Sequence, residues 1–398
     1  MVKFLKRKRR SSSSKKGDAT GRGGGDSAKG KDTARDGNSN EAAASTKSTH
    51  RPAKAHIPLT RYIGPLVSVA GLVFVLGMVV TGRVDLSAIH IGSGATAAAS
   101  VASAIQPVSM PAATGKPSET MSLATFSIQG FDSAKAQDAG ILSVLASVIS
   151  RVDIVAIQGV SKDAGGIAML MEKLEASGGQ FGSQVSPPVG RGDDMQCFAF
   201  IWDQSRIQLA PDSVFVVQDP TDRMHFEPMV ASFETRFGAV GGRSPFRFTL
   251  INAHANPSHV SDASAANEMN VLDDVFQSVR QYGYQKNGEE DCILLGNLGV
   301  NTQGLDELGK IPNVVSLGGD CLTDTLQTRT FDHILIDQTT TREYTGRFGL
   351  VDLQREFGIT QEQALMVSDH LMLWAEFSVY EVPAHNGVAS GVRTRGRY

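Results

Sequence analysis

The chain has 398 residues, 41% of them hydrophobic and 20% charged, with a formal net charge of −3. This composition excludes a wholly disordered chain, a collagen-like fibre and a multi-span transporter, and the length allows one large or two small folded domains plus tails. The average hides a split: residues 1–62 carry 16 Lys/Arg against 5 Asp/Glu, a net of +11, while residues 63–398 carry 22 against 36, a net of −14.

Residues 1–61 are rich in Ser, Gly, Lys, Arg and Ala, with KRKRR at 6–10 and GRGGG at 21–25. Such a segment has too little apolar surface to offset its chain entropy and is expected to be a disordered basic tail. It suits anionic lipid headgroups. Nucleic acid is a less favoured partner, because no aromatic residue interleaves the charges to stack on bases. Residues 62–82 then read YIGPLVSVAGLVFVLGMVVTG, 21 positions without a charge. At 1.5 Å per residue they reach ~30 Å, the thickness of a bilayer's hydrocarbon core, so one transmembrane helix is expected there. A buried soluble helix and a cleaved signal peptide are the alternatives. Basic residues crowd the amino-terminal side, which predicts a cytoplasmic amino terminus and an exported carboxyl-terminal part. Residues 83–120, rich in Ala, Ser and Gly, read as a flexible linker, and 383–398 as a disordered tail.

Between 121 and 382 the periodicity alternates. Strand-like runs occur at 122–128, 153–158, 197–202, 229–235, 246–254, 292–296, 331–337 and 372–380, and helical spacing at 138–151, 163–176 and 262–282. In the last, Ala265, Met269, Leu272, Val275, Phe276 and Val279 form an apolar stripe. Many strands with interspersed helices predict an α+β domain of two packed sheets with helices outside. Cys197, Cys292 and Cys321 have no metal-like spacing. The first two sit in apolar runs and read as core residues, although one disulfide is conceivable in an exported domain.

Short words stand at the ends of these runs, in order: Phe126-Ser127-Ile128-Gln129, Gln158-Gly159-Val160, Asn252-Ala253-His254-Ala255-Asn256-Pro257, Gly296-Asn297-Leu298-Gly299, Arg329-Thr330-Phe331-Asp332 and Ser368-Asp369-His370. In sequence and spacing they resemble the endonuclease/exonuclease/phosphatase superfamily of DNase-I-like proteins. The resemblance implies a four-layer α/β sandwich of two packed mixed sheets flanked by helices. It also implies a metal-dependent phosphodiester hydrolase, in which a hard dication such as Mg²⁺ or Mn²⁺ stabilises charge on the phosphate and a positioned base activates water.

The resemblance fails where that chemistry is carried. Family asparagine, glutamate, aspartate and asparagine positions hold Ser127, Gly159, Asn297 and Gly299, whereas His254, Asp332, Asp369 and His370 match the family's catalytic positions. A glycine cannot ligate, and an amide is neither a base nor a good Mg²⁺ ligand. The expectation is therefore a membrane-anchored pseudoenzyme that binds or scaffolds and holds no cofactor, with Asp369 the metal contact if there is one. The competing expectation is an active Mg²⁺- or Mn²⁺-dependent phosphodiesterase with a relocated carboxylate, for which Asp193, Asp194 and Asp203 are the nearest candidates. Further readings stay open. Asp332 either pairs with His370 or caps a strand end. Asn297 and Gly299 serve a turn or a site. His254 is a core histidine or a site residue, and His225 and His259 could join a histidine-based site for a softer metal.

Overall fold

Residues 115–260 and 267–383 are described by the computed structural model. The expectations for 1–61, 62–82 and nearly all of 83–120, for Ala265 and for almost all of the carboxyl-terminal tail fall outside them. Among the described residues no helix is long and apolar enough to cross a membrane.

One sheet contains β1 (Thr120–Phe131), β2 (Ile154–Ser161), β3 (Phe181–Val185), β4 (Val189–Arg191), β5 (Asp194–Asp203), β13 (Tyr344–Val351) and β14 (Met372–Ser378), ordered β13-β14-β1-β2-β5-β3, with β4 also on β5. The second contains β6 (Ile207–Leu209), β7 (Phe215–Val216), β8 (Met229–Thr235), β9 (Arg247–His254), β10 (Cys292–Asn297), β11 (Val314–Ser316) and β12 (Asp332–Asp337), ordered β11-β12-β10-β9-β8-β6, with β7 on β8. Both are mixed: β1–β2 and β9–β10 run parallel and the other pairs antiparallel.

The continuous apolar runs in the sequence are explained by burial on both strand faces. In β2, Ile154 and Ala156 face a core between the sheets, where they meet Phe198, Phe200, Phe233 and Phe248, while Val155 and Ile157 face an outer core against helices α1 (Ala139–Ile149) and α2 (Gly165–Ala176). In β10, Ile293 and Leu295 face inward, and Leu294 meets Leu272, Val275 and Phe276 of α3 (Met269–Asn287). The expected four layers are present.

The expected strands and helices match the observed ones to within a few residues, apart from the first part of 262–282. The domain starts slightly before 121. Lys116 pairs with Asp203 at 2.8 Å, and Arg206 donates to the carbonyls of Pro117 and Thr120, both at 2.7 Å. All three cysteines are free, with Cys197 and Cys292 buried.

Candidate functional site

Register brings the signature residues together. β9 and β10 end side by side with His254 opposite Asn297, and β12 begins with Asp332 opposite Asn297. From the other sheet come Ser127, Gly159 and the Asp369-His370 pair that precedes β14. A cleft of about 570 Å³ is lined by Ser127, Gly159, His254, Asn297, Gly299, Asp369 and His370, with Asp132, Asp194, Gln196, Phe226 and Phe331 among its other walls. Asp332 lies beneath it, 1% exposed.

His370 Nδ1 stands 2.7 Å from Asp332 Oδ2, so the pairing implied by the resemblance is present. Burial opposes a charge on His370, but the Asp332 carboxylate outweighs it and holds the imidazole pKa above its ordinary value. His254 is pushed down to about 4, by burial first and by the neighbouring His370 charge second. It is neutral at pH 7, stacked on Phe226 with ring centroids 5.1 Å apart.

Asn297 sits between the two rings. Its Oδ1 accepts from Gly299 N–H at 3.1 Å, which fixes the amide orientation, and its Nδ2 lies 3.4 Å from His254 Nε2 and 3.3 Å from His370 Nε2. With His370 in its neutral form, the amide donates to both Nε2 lone pairs and His370 Nδ1–H donates to Asp332. The Gln196 amide meets His254 Nδ1 with both its atoms, Nε2 at 2.8 Å and Oε1 at 3.0 Å. In that state a neutral donor engages Nε2 of both candidate bases. Asn297 and Gly299 thus serve the turn and the site at once, with Gly299 at φ +69°.

Gly159 is a stricter case. It sits at an irregularity in the β1–β2 and β2–β5 ladders, at φ +76°. A Cβ there would stand 2.8 Å from Ile128 O and 3.1 Å from Gln129 Cα. The backbone leaves no room for a glutamate. Below it, Gln158 is fully buried and turned inward. Its Nε2 donates to Asn252 Oδ1 at 2.8 Å, and Asn252 Nδ2 donates to Ile157 O and Ala199 O, both at 3.1 Å, which ties the two sheets beneath the cleft.

None of the relocated carboxylates proposed from sequence makes a dication site here. Asp203 lies at the far end of β5 with Lys116, and Asp193 is exposed and off the cleft wall. Asp194 reaches the cleft but pairs with His225 Nε2 at 2.7 Å. Asp132 accepts from Lys135 N–H at 2.7 Å. The Asp369 side chain is half exposed, 4.0 Å from His370 Nε2, and shares its surroundings with the Lys135 ammonium. Among the described residues, no three His, Cys, Asp or Glu side chains converge in the cleft at ligating distance, and neither His225 nor His259 joins such a group. A hard dication needs several charged oxygens, and this donor set does not fit one.

Sequence reasoning missed Gln196, which bridges His254 and Gly159 N–H, the latter at 3.0 Å. The signal was present: Gln196 extends the i, i+2 series Phe198, Phe200 that faces the inner core, and a polar residue closing such a series faces whatever lies at the strand end.

No protein-family model matches the chain. Human deoxyribonuclease-1-like 1 is 25% identical over 270 residues, covering 65% of this chain and 84% of that protein. Rat (Rattus norvegicus) deoxyribonuclease gamma is 24% identical over 269 residues, covering 63% and 82%. Among solved structures, the human Nocturnin catalytic domain with bound sulfate is 14% identical with a TM-score of 0.46, covering 66% of this chain and 95% of that one. The chain is thus similar to deoxyribonuclease-1-like proteins over its described residues, and the ordered signature words and the two-sheet sandwich support a DNase-I-like domain there.

Proposed function

We propose that the chain is a membrane-anchored pseudoenzyme whose DNase-I-like domain binds or scaffolds rather than cleaves. The observation that carries this reading is Asn297, a neutral amide placed between His254 and His370 where hydrolysis requires a charged, proton-accepting group. The crowded backbone at Gly159 supports it. Removing one catalytic group costs ~10²–10⁴-fold in rate, and losing groups that act as a unit leaves little to build on. The relatives named for deoxyribonuclease activity suggest DNA as a first ligand to try. The net charge of −14 over residues 63–398 disfavours tight binding to it. Membrane attachment rests on residues 62–82, and anionic headgroups would meet the basic tail.

The test is incubation of the full chain with Mg²⁺ and Mn²⁺ on DNA, RNA and small phosphodiesters. The expected result is turnover no greater than that of the His370→Ala protein. Robust turnover abolished by His370→Ala would instead establish the second reading, an active Mg²⁺- or Mn²⁺-dependent phosphodiesterase using His254, Asp332, Asp369 and His370. The intact Asp332–His370 pair favours that reading. A reporter fused at the carboxyl terminus tests the topology and is expected to be active only in an exported setting.

A further inference from the structure

At the end of the sandwich opposite the cleft, four carboxylates gather. Asp291 and Glu289 precede β10 in one sheet, while Glu343 precedes β13 and Glu381 follows β14 in the other. The six residues of β10 separate Asp291 from the Asn297 end by ~20 Å. Ligating oxygens of Asp291, Glu343 and Glu381 all lie within 4.8 Å of one another. Three of the carboxylates are anchored through one oxygen. Glu343 Oε1 accepts from Val382 N–H at 2.6 Å, Glu381 Oε1 from Arg247 N–H at 3.0 Å, and Glu289 Oε1 from Asp291 N–H at 2.9 Å.

The other oxygens are left over. Asp291 Oδ1 and Glu343 Oε2 are buried without a hydrogen-bond partner. Independently of the acids, the hydroxyl of Thr341, 2% exposed, is turned toward the Asp291 carboxylate and also lacks a partner of good geometry. The facing cation is Arg247, whose Nε is 3.6 Å from Glu289 Oε2 and whose side chain is 44% exposed. One half-exposed guanidinium does not neutralise four acids. Their burial and mutual repulsion push Asp291 up to about 9 and Glu289 up to about 7, and raise Glu343 and Glu381.

We propose that Asp291, Glu343 and Glu381, with Thr341 beside them, form a Ca²⁺ site that clips the two sheets together at the end remote from the cleft. Ca²⁺ takes about six to eight oxygens and accepts several carboxylates at once, whereas Mg²⁺ keeps most of its waters and is held by one or two carboxylates, so a set of three protein carboxylates suits Ca²⁺ better. Carboxylates ligate in their deprotonated form, so an ion here competes with protons.

The test uses the full chain freed of metal by a chelator, with thermal unfolding and isothermal titration against Ca²⁺ alone and Mg²⁺ alone. The expected result is one Ca²⁺ per chain, a Tm rise of several degrees that is larger at pH 8 than at pH 6, and a weaker response to Mg²⁺. Glu343→Gln and the part-exposed, less disruptive Glu381→Gln are expected to lower the Ca²⁺ affinity at least tenfold, as loss of a ligand does. Asp332→Asn, beneath the cleft, is expected to leave it unchanged. No Ca²⁺ response in the unaltered chain would overturn the proposal, as would a response of equal affinity in Glu381→Gln. Either result leaves the reading of the cleft untouched.

Discussion

Asn297 and Gly159 depart from the family pattern in different ways, and they respond differently to substitution. Asn297→Asp is sterically neutral and adds a carboxylate beside both imidazoles. An opposite charge within hydrogen-bond reach favours the protonated ring. The titration midpoint of His254, now about 4, is expected to rise by at least about one unit, or ~1.4 kcal/mol of differential interaction. Imidazole proton NMR measures this, and a midpoint that stays put would show that Asn297 is not the group controlling the ring. Nuclease activity is not expected from this change alone, because position 159 still offers no carboxylate. Gly159→Glu is the opposite case: left-handed backbone with a side chain costs ~1–2 kcal/mol, and the collision with Ile128 O adds to it. Denaturant unfolding is expected to show a loss of at least about 2 kcal/mol, with no gain in Mg²⁺ binding. Substitution at these two positions was readable in the sequence from word order alone. The positive φ at 159 was not, because it depends on the irregularity where β1 pairs alongside β2.

Among the elements, the strands that carry the cleft are coupled by buried polar groups. Asn252 of β9 reaches Gln158 and two carbonyls of the opposite sheet. Asn252→Ala would strand those partners without water, at ~1–3 kcal/mol for each uncompensated group, so a destabilisation of roughly 2–4 kcal/mol is expected in denaturant titration. The Asp332–His370 pair joins β12 to the loop before β14 and predicts a pH dependence. The folded pKa of His370 lies above its unfolded value near 6.5, so its contribution is complete below about pH 6.5 and is lost as pH rises through the folded value. Asp332→Asn is expected to lower the His370 midpoint and flatten that part of the stability–pH curve. The long apolar strands were legible because burial on both faces leaves nearly unbroken hydrophobic runs. β13 was not, since Gly346 and Gly349 interrupt its pattern, and the short edge strands β3, β4, β6 and β11 are too brief to show a period. The helix at Gln361–Val367 was also missed, although Thr360 and Gln363 form a capping box in plain view.

For the whole molecule, the acid-rich end makes stability depend on pH. Glu289 and Asp291 have folded pKa values of about 7 and about 9, above the ~4 of unfolded carboxylates. In the absence of divalent cations their contribution is present below about pH 4 and is lost as pH rises through 7 and then 9. Stability of the chelated chain is therefore expected to decline from pH 5 to pH 9, and Glu289→Gln to lessen the decline. A flat curve would mean that these acids are better solvated than their burial implies. This acid-rich end was invisible to sequence reasoning because its members, at 289, 291, 343 and 381, meet only once the sheets are stacked. The sandwich itself was legible because its order of elements is linear in the chain. The crowding at position 159 has a further consequence, for redesign. A carboxylate introduced there meets Ile128 O from a left-handed backbone, so building a metal ligand at this strand end calls for compensating changes in β1 together with the new side chain.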